Sequence, residues 1–346
     1  MRVLVTGHHG YIGSVLTPLL DEAGHDVVGL DAYFFRGCDF GTTTEWDPSR
    51  TLDLRDVRPE ALEGFDAVVH LAALSNDPLG DLDPDWTYAI NRDGAIHFAR
   101  AAKAAGVERF VFASSCSMYG AVEGDELLDE DAPLRPLTPY AESKVRAEEA
   151  ILGLAGDGFA AVSMRNSTAY GVSPRLRLDV VLNNLVAWAH TTGAIRLLSD
   201  GRSWRPLVHV RDIAKATIAL LAAPAETVSG EAFNIGTTEQ NYLIRDLAEI
   251  VHRRLPACEV TYASDASADP RSYRVDFSRF ASSFPHCAMD WTAERGADEL
   301  ATAYEHEGLT LADLESGYRY IRLNQLRRLL ETGALDDELR WASSAA

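Results

Sequence analysis

Lysine is nearly missing from this chain. Of 32 basic residues among 346, three are lysine: Lys103, Lys144 and Lys215. Positions that need only positive charge have been filled by arginine. Cysteine is also scarce, and Cys38, Cys116, Cys258 and Cys287 are widely spaced with no Cys-x-x-Cys pair. That spacing argues against a zinc site or a disulfide framework, and it fits a reducing compartment. No metal is expected. No apolar run reaches the ~18 residues that a membrane-spanning helix needs. Excess basic charge is lacking too: the net charge of −20 disfavours DNA or RNA as a partner. It leaves room for a small anion held in a local cationic pocket. Internal repeats and low-complexity segments are absent, and the first residues enter an apolar strand with no basic signal region. A cytoplasmic protein without membrane or nucleic-acid partners is the expectation.

What is present is an ordinary globular composition, 47% hydrophobic and 24% charged, enough for a sizeable core. Short apolar runs at Arg2–Thr6, Asp26–Asp31, Arg50–Leu52, Ala67–Leu71, Arg109–Ser114 and Ala160–Arg165 alternate with helical patterns at Tyr11–Ala23, Trp86–Ala105 and Pro139–Leu152. Alternating strand and helix predicts an α/β fold, a doubly wound Rossmann-like parallel sheet covered on both faces. Val3-Leu4-Val5 and Val68-Val69 suit strands buried on both sides. After Gly171 the pattern loosens. A helix near Asp179–Thr191, a strand at Ala194–Leu198, a buried strand at Phe233–Gly236 and one or two helices over Leu311–Leu330 are expected. The last residues are expected to fray.

Gly7-His8-His9-Gly10-Tyr11-Ile12-Gly13 follows the first strand and opens the first helix. Glycines there allow a tight turn and close approach of a pyrophosphate to the helix N-terminus. Asp31 ends the second strand, 18 residues after Gly13, with Arg36 the nearest arginine beyond it. A carboxylate there accepts from adenosine ribose hydroxyls and repels a 2′-phosphate, so NAD is expected rather than NADP. Asp53-Leu54 follows the third strand and is placed to meet the adenine. His70-Leu71-Ala72-Ala73 ends the fourth, where small residues let the backbone pass a cofactor. His70 itself reads as a packed histidine. Ser114 to Gly120 ends the fifth strand, and ligands of open α/β sheets bind outside such ends.

Tyr140 and Lys144 lie four residues apart, on one face of a helix whose start is marked by Thr138 and Pro139. In a chain so poor in lysine, an amine beside a phenol points to chemistry that arginine cannot do. A compact ammonium favours the phenolate and joins proton relays, whereas a guanidinium effectively never deprotonates. A phenol ordinarily titrates near ~10, so its use as a base near neutral pH calls for neighbouring positive charge.

Together these residues resemble an extended short-chain dehydrogenase/reductase of the nucleotide-sugar epimerase and dehydratase group. The likeness runs through the Gly7 loop, Asp31, His70–Ala73, Asn91, Ser115–Gly120, Tyr140/Lys144, Arg165–Gly171 and Trp204–Asp212. In pattern the chain is most similar to the UDP-glucose and UDP-glucuronate 4-epimerases. The resemblance implies Ser115, Tyr140 and Lys144 as catalytic residues, with Tyr140 taking the sugar 4-hydroxyl proton and Lys144 on the nicotinamide ribose. It implies Gly7, Gly10, Tyr11, Ile12, Gly13, Asp31, Asp53, Leu54, Leu71, Ala72, Ala73, Asn91 and Asn166 around NAD, besides Tyr140 and Lys144. Ser115, Ser117, Tyr140, Thr168, Asn184, Arg205 and Arg271 would hold a nucleotide-diphosphate sugar, a UDP-sugar in the first instance. Arginine suits the diphosphate through its bidentate fork.

The chain departs from its resemblance in useful ways. Sugar dehydratases and decarboxylases usually carry an acid where Ser117 stands, and the 4,6-dehydratases have Asp-Glu where this chain has Cys116-Ser117. Loss of water needs an acid and a base there. Epimerisation, or reduction of a 4-keto sugar, remains. A non-catalytic NAD-binding protein would not need the phenol. Thr168 and Asn166 stand where many relatives have asparagine and an aromatic, so the sugar pocket is not a close copy. The expected organisation is a nucleotide domain over 1–170, rejoined by about 205–255, a discontinuous α/β substrate domain over 171–204 and 256–330, and a tail over 331–346. A homodimer through helices flanking the fourth and fifth strands is implied by the resemblance alone.

Overall fold

The alternating pattern of the first half becomes a seven-stranded parallel sheet. The computed structural model describes residues 1–43, 45–75, 82–122, 124, 126–267 and 271–342. In it β1 (Arg2–Thr6), β2 (Asp26–Asp31), β3 (Ser49–Thr51), β4 (Ala67–His70), β5 (Arg109–Ser115), β6 (Ala160–Asn166) and β7 (Ala232–Ile235) lie in the order β7-β6-β5-β4-β1-β2-β3. The order reverses between β1 and β4, which are in-register neighbours from Val3/Ala67 to Thr6/His70. That reversal opens a crevice at the carboxyl ends of the strands.

Residues alternate between the two faces of each strand. Leu4, Val28, Val68, Phe110 and Phe112 pack on one side with Phe98 and Ile151. Val3, Val5, Val69, Val111 and Val162 pack on the other with Leu16, Leu20, Ile213 and Leu220. Two helices carry site residues. The first, α1 (Gly13–Glu22), starts from the glycine loop. The second, α2 (Pro139–Leu152), has the range the sequence predicts. The Thr138 hydroxyl accepts from the Ala141 N–H at 3.2 Å and Pro139 fills the first turn. Such a cap is worth about 1 kcal/mol.

A second lobe has its own core, with Leu182, Leu185, Val186, Leu197, Leu207, Leu300 and Tyr304. Its sheets are small. Trp204–His209 lies between Asn241–Leu243 and Thr168–Tyr170, and Ala194–Ser199 pairs with Glu259–Ser267. The helix Ile244–Arg254 packs Leu247, Ala248, Ile250 and Val251 into this core. The stretch 241–255 thus sits in the second lobe, where the sequence suggests a return to the first; that return ends with β7.

The C-terminus differs more. Instead of a tail from 331, α3 (Arg322–Glu331) and the residues after it fold back onto the first lobe. Leu326, Leu329, Leu335 and Leu339 are buried in its core. The Trp341 indole donates to the Ala32 carbonyl at 2.6 Å, and Arg55 donates to the carbonyls of Glu338 and Leu339. Residues 343–346 lie outside the described ones.

Candidate active site

Between the lobes lies a cleft of about 1490 Å³. Every residue expected to touch cofactor or substrate lines it except Asn91.

At its floor the chain turns sharply at Gly7, where φ is +71°. A Cβ on Gly7 would fall 2.8 Å from the Ala72 nitrogen, and one on Gly13 would fall 2.2 Å from the Gly7 carbonyl oxygen. Both positions therefore admit glycine alone. No side chain caps α1; the N–H groups of Ser14 and Val15 bond the carbonyls of Gly10 and Ile12, and those of Tyr11, Ile12 and Gly13 are left for an anion. The loop is braced from the second lobe. The Tyr11 hydroxyl donates to the Gly171 carbonyl at 2.7 Å, and the Ser173 hydroxyl donates to the Tyr11 carbonyl at 2.7 Å. Burial pushes the Tyr11 phenol above its ordinary range, so it acts as a neutral strut.

Asp31, at the end of β2, accepts from the His9 N–H at 3.1 Å and the Tyr33 N–H at 2.7 Å. These bonds aim its carboxylate and leave lone pairs for ribose hydroxyls. Asp53 also lines the cleft, but it is gripped by Arg55, with Nη2 at 2.6 Å, and faces Arg340. Burial favours its neutral form, and Arg55 outweighs this to hold its pKa below the usual range. Leu54, Phe34, Phe35 and Ile90 add an apolar wall suited to a flat base.

Asn91 is the exception. It is 1% exposed, and its side chain bonds the Leu74 N–H and carbonyl at 2.8 and 2.9 Å. It sits in a π-helical stretch, Tyr88–Gly94. Its work is to fix the loop after β4, which carries Leu71, Ala72 and Ala73. His70 is packed: Thr6 meets its Nδ1 at 3.1 Å, Phe98, Phe110 and Phe112 surround it, and burial lowers its pKa to about 3.

The other end of the cleft gathers Ser115, Ser117, Tyr140, Lys144, Asn166 and Thr168. Lys144 is 4% exposed, donates to the Ala113 carbonyl at 2.7 Å and lies 4.8 Å from the Phe112 ring centre. Burial brings its pKa down to about 8, partly offset by Glu148 one turn further along α2. Glu148 is itself tied to Arg165 at 2.7 Å and to the Ser163 hydroxyl. Ser115 caps the turn after β5, accepting from the Ser117 N–H. The side-chain oxygens of Ser114 and Ser117 and the Asn166 Oδ1 are buried without a partner among the described residues. A bound ligand with donors and acceptors is what would satisfy them. Cys116 is turned away, its thiol donating to the Arg165 carbonyl at 3.0 Å.

In the second lobe Arg205 donates to the carbonyls of Trp204 and Arg271, which brings the two expected diphosphate arginines together beside Tyr273. Asn184 is held by the Leu178 carbonyl at 2.8 Å. The sequence expectations omit Arg177, Asp179 and Arg322, which also line the cleft. Arg177 and Asp179 form a buried pair, with Nε to Oδ1 at 2.8 Å. Burial alone would raise the Asp179 pKa; Arg177 outweighs it and keeps the carboxylate ionised. A signal for them existed in Arg175-Leu176-Arg177-Leu178-Asp179, whose leucines are buried in the second core while Arg177 and Asp179 line the cleft.

A glycine cradle on a doubly wound sheet, with a phenol and a buried ammonium at the strand ends, defines a dinucleotide-dependent enzyme. The profile of the NAD dependent epimerase/dehydratase family matches residues 3–236. The chain belongs to that family, and its cofactor is NAD. It is 31% identical over 334 residues to the UDP-glucose 4-epimerase of Lactobacillus helveticus, covering 88% of this chain and 96% of that one. The Thermus thermophilus UDP-glucose 4-epimerase solved with NAD superposes with a TM-score of 0.72 at 27% identity, over 88% of this chain and 99% of that one. A dTDP-glucose 4,6-dehydratase from Streptomyces venezuelae shares the fold, with a TM-score of 0.76 at 24% identity over 88% and 97% of the two chains. The cradle and the unsatisfied oxygens fit NAD: Gly7–Gly13 would meet its diphosphate, Asp31 its ribose, and Asn166 and Lys144 its nicotinamide end. Among the described residues, no helix is long and apolar enough to cross a membrane.

Proposed function

We propose that the protein is a UDP-sugar 4-epimerase. The observation that carries this reading is where the carboxylates are not. Among the described residues, the acids lining the cleft are Asp31, Asp53 and Asp179. The first two belong to the cofactor end and the third is locked to Arg177. Cys116 is turned away, and Ser117 offers a hydroxyl. Elimination of water from the sugar lacks its acid–base partner, whereas moving one hydrogen at C4 needs a single proton acceptor.

Tyr140 is that acceptor. It takes the proton of the sugar 4-hydroxyl while Ser115 hydrogen-bonds the same oxygen, and it later returns the proton. When bound, NAD would supply the acceptor, and later the donor, for the hydride of the sugar's C4. Lys144, a buried cation one helical turn away, favours the phenolate. Arg205 and Arg271 hold the diphosphate, and Asn184, Thr168 and Ser117 border the sugar, which turns about its diphosphate between the two transfers. The likeness to UDP-glucose 4-epimerases supports uridine as the base. A cytoplasmic homodimer, joined by the helices over β4 and β5, completes the reading, and light scattering checks its mass.

Purified protein is expected to interconvert UDP-glucose and UDP-galactose, or the corresponding uronates, without added reductant. Stoichiometric consumption of NADPH by a 4-keto sugar nucleotide would assign a ketoreductase instead.

A further inference from the structure

Three buried arginines surround the glycine loop, and one of them is incomplete. Arg175 reaches the loop after β1, bonding His9 at 3.2 Å, and is paired with Asp39. Arg177 reaches the loop after β4, bonding the Ser75 hydroxyl at 3.0 Å, and is paired with Asp179. Arg322 reaches the loop after β2, with its guanidinium carbon 4.2 Å from the Phe35 ring centre. It is 3% exposed and lines the cleft. Its Nη2 donates to the Arg175 carbonyl at 2.9 Å, while its Nη1 is buried without a partner among the described residues.

A buried guanidinium with an unpartnered N–H is costly, more so beside other cations, and the nearby Asp179 carboxylate, already bonded to Arg177, offsets this only in part. Arg175 and Arg177 each have a carboxylate partner; among the described residues none hydrogen-bonds Arg322. The loops after β1, β2 and β4 are those that meet over the crevice where the strand order reverses, and a dinucleotide diphosphate binds there. Arg205 and Arg271, the arginines suited to a substrate diphosphate, stand apart beside Tyr273. We propose that Arg322 is a cofactor ligand whose Nη1–H donates to a diphosphate oxygen of NAD. A residue beyond the 3–236 stretch that defines the family then completes the cofactor site. The C-terminal helix, fixed to the first lobe by Leu326 and Leu329, is what carries it there.

The test is titration calorimetry on protein stripped of nucleotide, comparing the parent with Arg322→Gln and Arg322→Lys. Arg322→Gln is expected to weaken NAD and ADP-ribose by roughly 10- to 100-fold, the worth of one charge-assisted hydrogen bond. Adenosine, which lacks the diphosphate, and UDP, which reads the substrate side, are expected to bind as to the parent. Arg322→Lys, a point charge without the fork, is expected to fall between. The Tm of stripped Arg322→Gln is expected to equal or exceed the parent's. With UDP saturating the substrate diphosphate site, inorganic pyrophosphate is expected to raise the Tm of the stripped parent and not that of Arg322→Gln. Unchanged NAD affinity in Arg322→Gln overturns the proposal, as does equal loss of adenosine and UDP with a lowered Tm, which marks a purely structural residue. If Arg322→Gln does not fold, a parent that pyrophosphate fails to stabilise overturns it as well.

Discussion

At the glycine-loop end the cleft is ionic: Asp31, Asp53, Asp179, Arg177 and Arg322 all line it. At the other end Ser115, Ser117, Asn166 and Thr168 are neutral, and Lys144 supplies the charge. The ionic end resembles a binding site for a fixed anion, with cations aimed by backbone and carboxylate bonds. The neutral end resembles a place where charge is made and removed. There a second ionisable acid would offer the proton another route, and its absence among the described residues is as informative as the presence of Tyr140.

Breaking the neutral end has the largest effect. Tyr140→Phe removes the proposed proton acceptor and leaves the cavity's shape, and turnover is expected to drop by roughly 10²- to 10⁴-fold. Bound NAD, measured by its release on denaturation, should be unchanged. Surviving turnover would mean that another group does the work.

Breaking the ionic end is expected to act on binding instead. Gly13→Ala places a methyl 2.2 Å from the Gly7 carbonyl oxygen. Overpacking of this kind costs about 1–3 kcal/mol, so NAD affinity measured by calorimetry should fall by roughly 10- to 100-fold. The fold of the second lobe, followed by near-ultraviolet dichroism, should persist.

Lys144 sharpens the comparison, because it is a cation placed in the neutral end at a cost. Its folded pKa of about 8 lies below the ~10.4 of an unfolded lysine. Between those values the unfolded chain binds a proton that the folded chain has lost, so this group's contribution to stability rises with pH through that window. Below about 8 both states are charged and the full cost of burial is present. Lys144→Met is expected to stabilise the stripped protein at pH 7 by on the order of 1–3 kcal/mol while impairing turnover. The gain should shrink as pH climbs from about 8 to about 10.4 in denaturant melts. A destabilised Lys144→Met at pH 7 would show that the ammonium's bond to Ala113 outweighs its burial.

The smallest effect belongs to Asp31. Asp31→Asn keeps acceptors and loses charge. It is expected to weaken NAD up to about tenfold and to narrow the preference over NADP, read from the two affinities side by side.

The sequence made much of this visible where the chemistry is local. The range of α2 is readable because Thr138, Pro139 and the apolar spacing are contiguous. The cradle is readable because three glycines, Gly7, Gly10 and Gly13, sit close together between the first strand and the first helix. Val3, Leu4 and Val5 announce a strand buried on both sides. What escaped is what tertiary contact assembles. Arg322 comes from the far end of the chain to meet Phe35 and Arg175, and nothing beside it in sequence hints at either. Asn91 belongs to a recognisable pattern, yet its amide is spent on Leu74, one layer beneath the cleft. Leu335, Leu339 and Trp341 are spaced like a frayed end and gain their meaning from the core they cover.

The central claim is that one hydrogen leaves C4 and returns to it, with no elimination at neighbouring carbons. UDP-glucose carrying deuterium at C4 tests this most directly, with the reaction run in ordinary water without reductant and followed by proton NMR. The account predicts UDP-galactose that keeps its C4 deuterium. Loss of the label to solvent, or a product lacking an oxygen at C6, would contradict it.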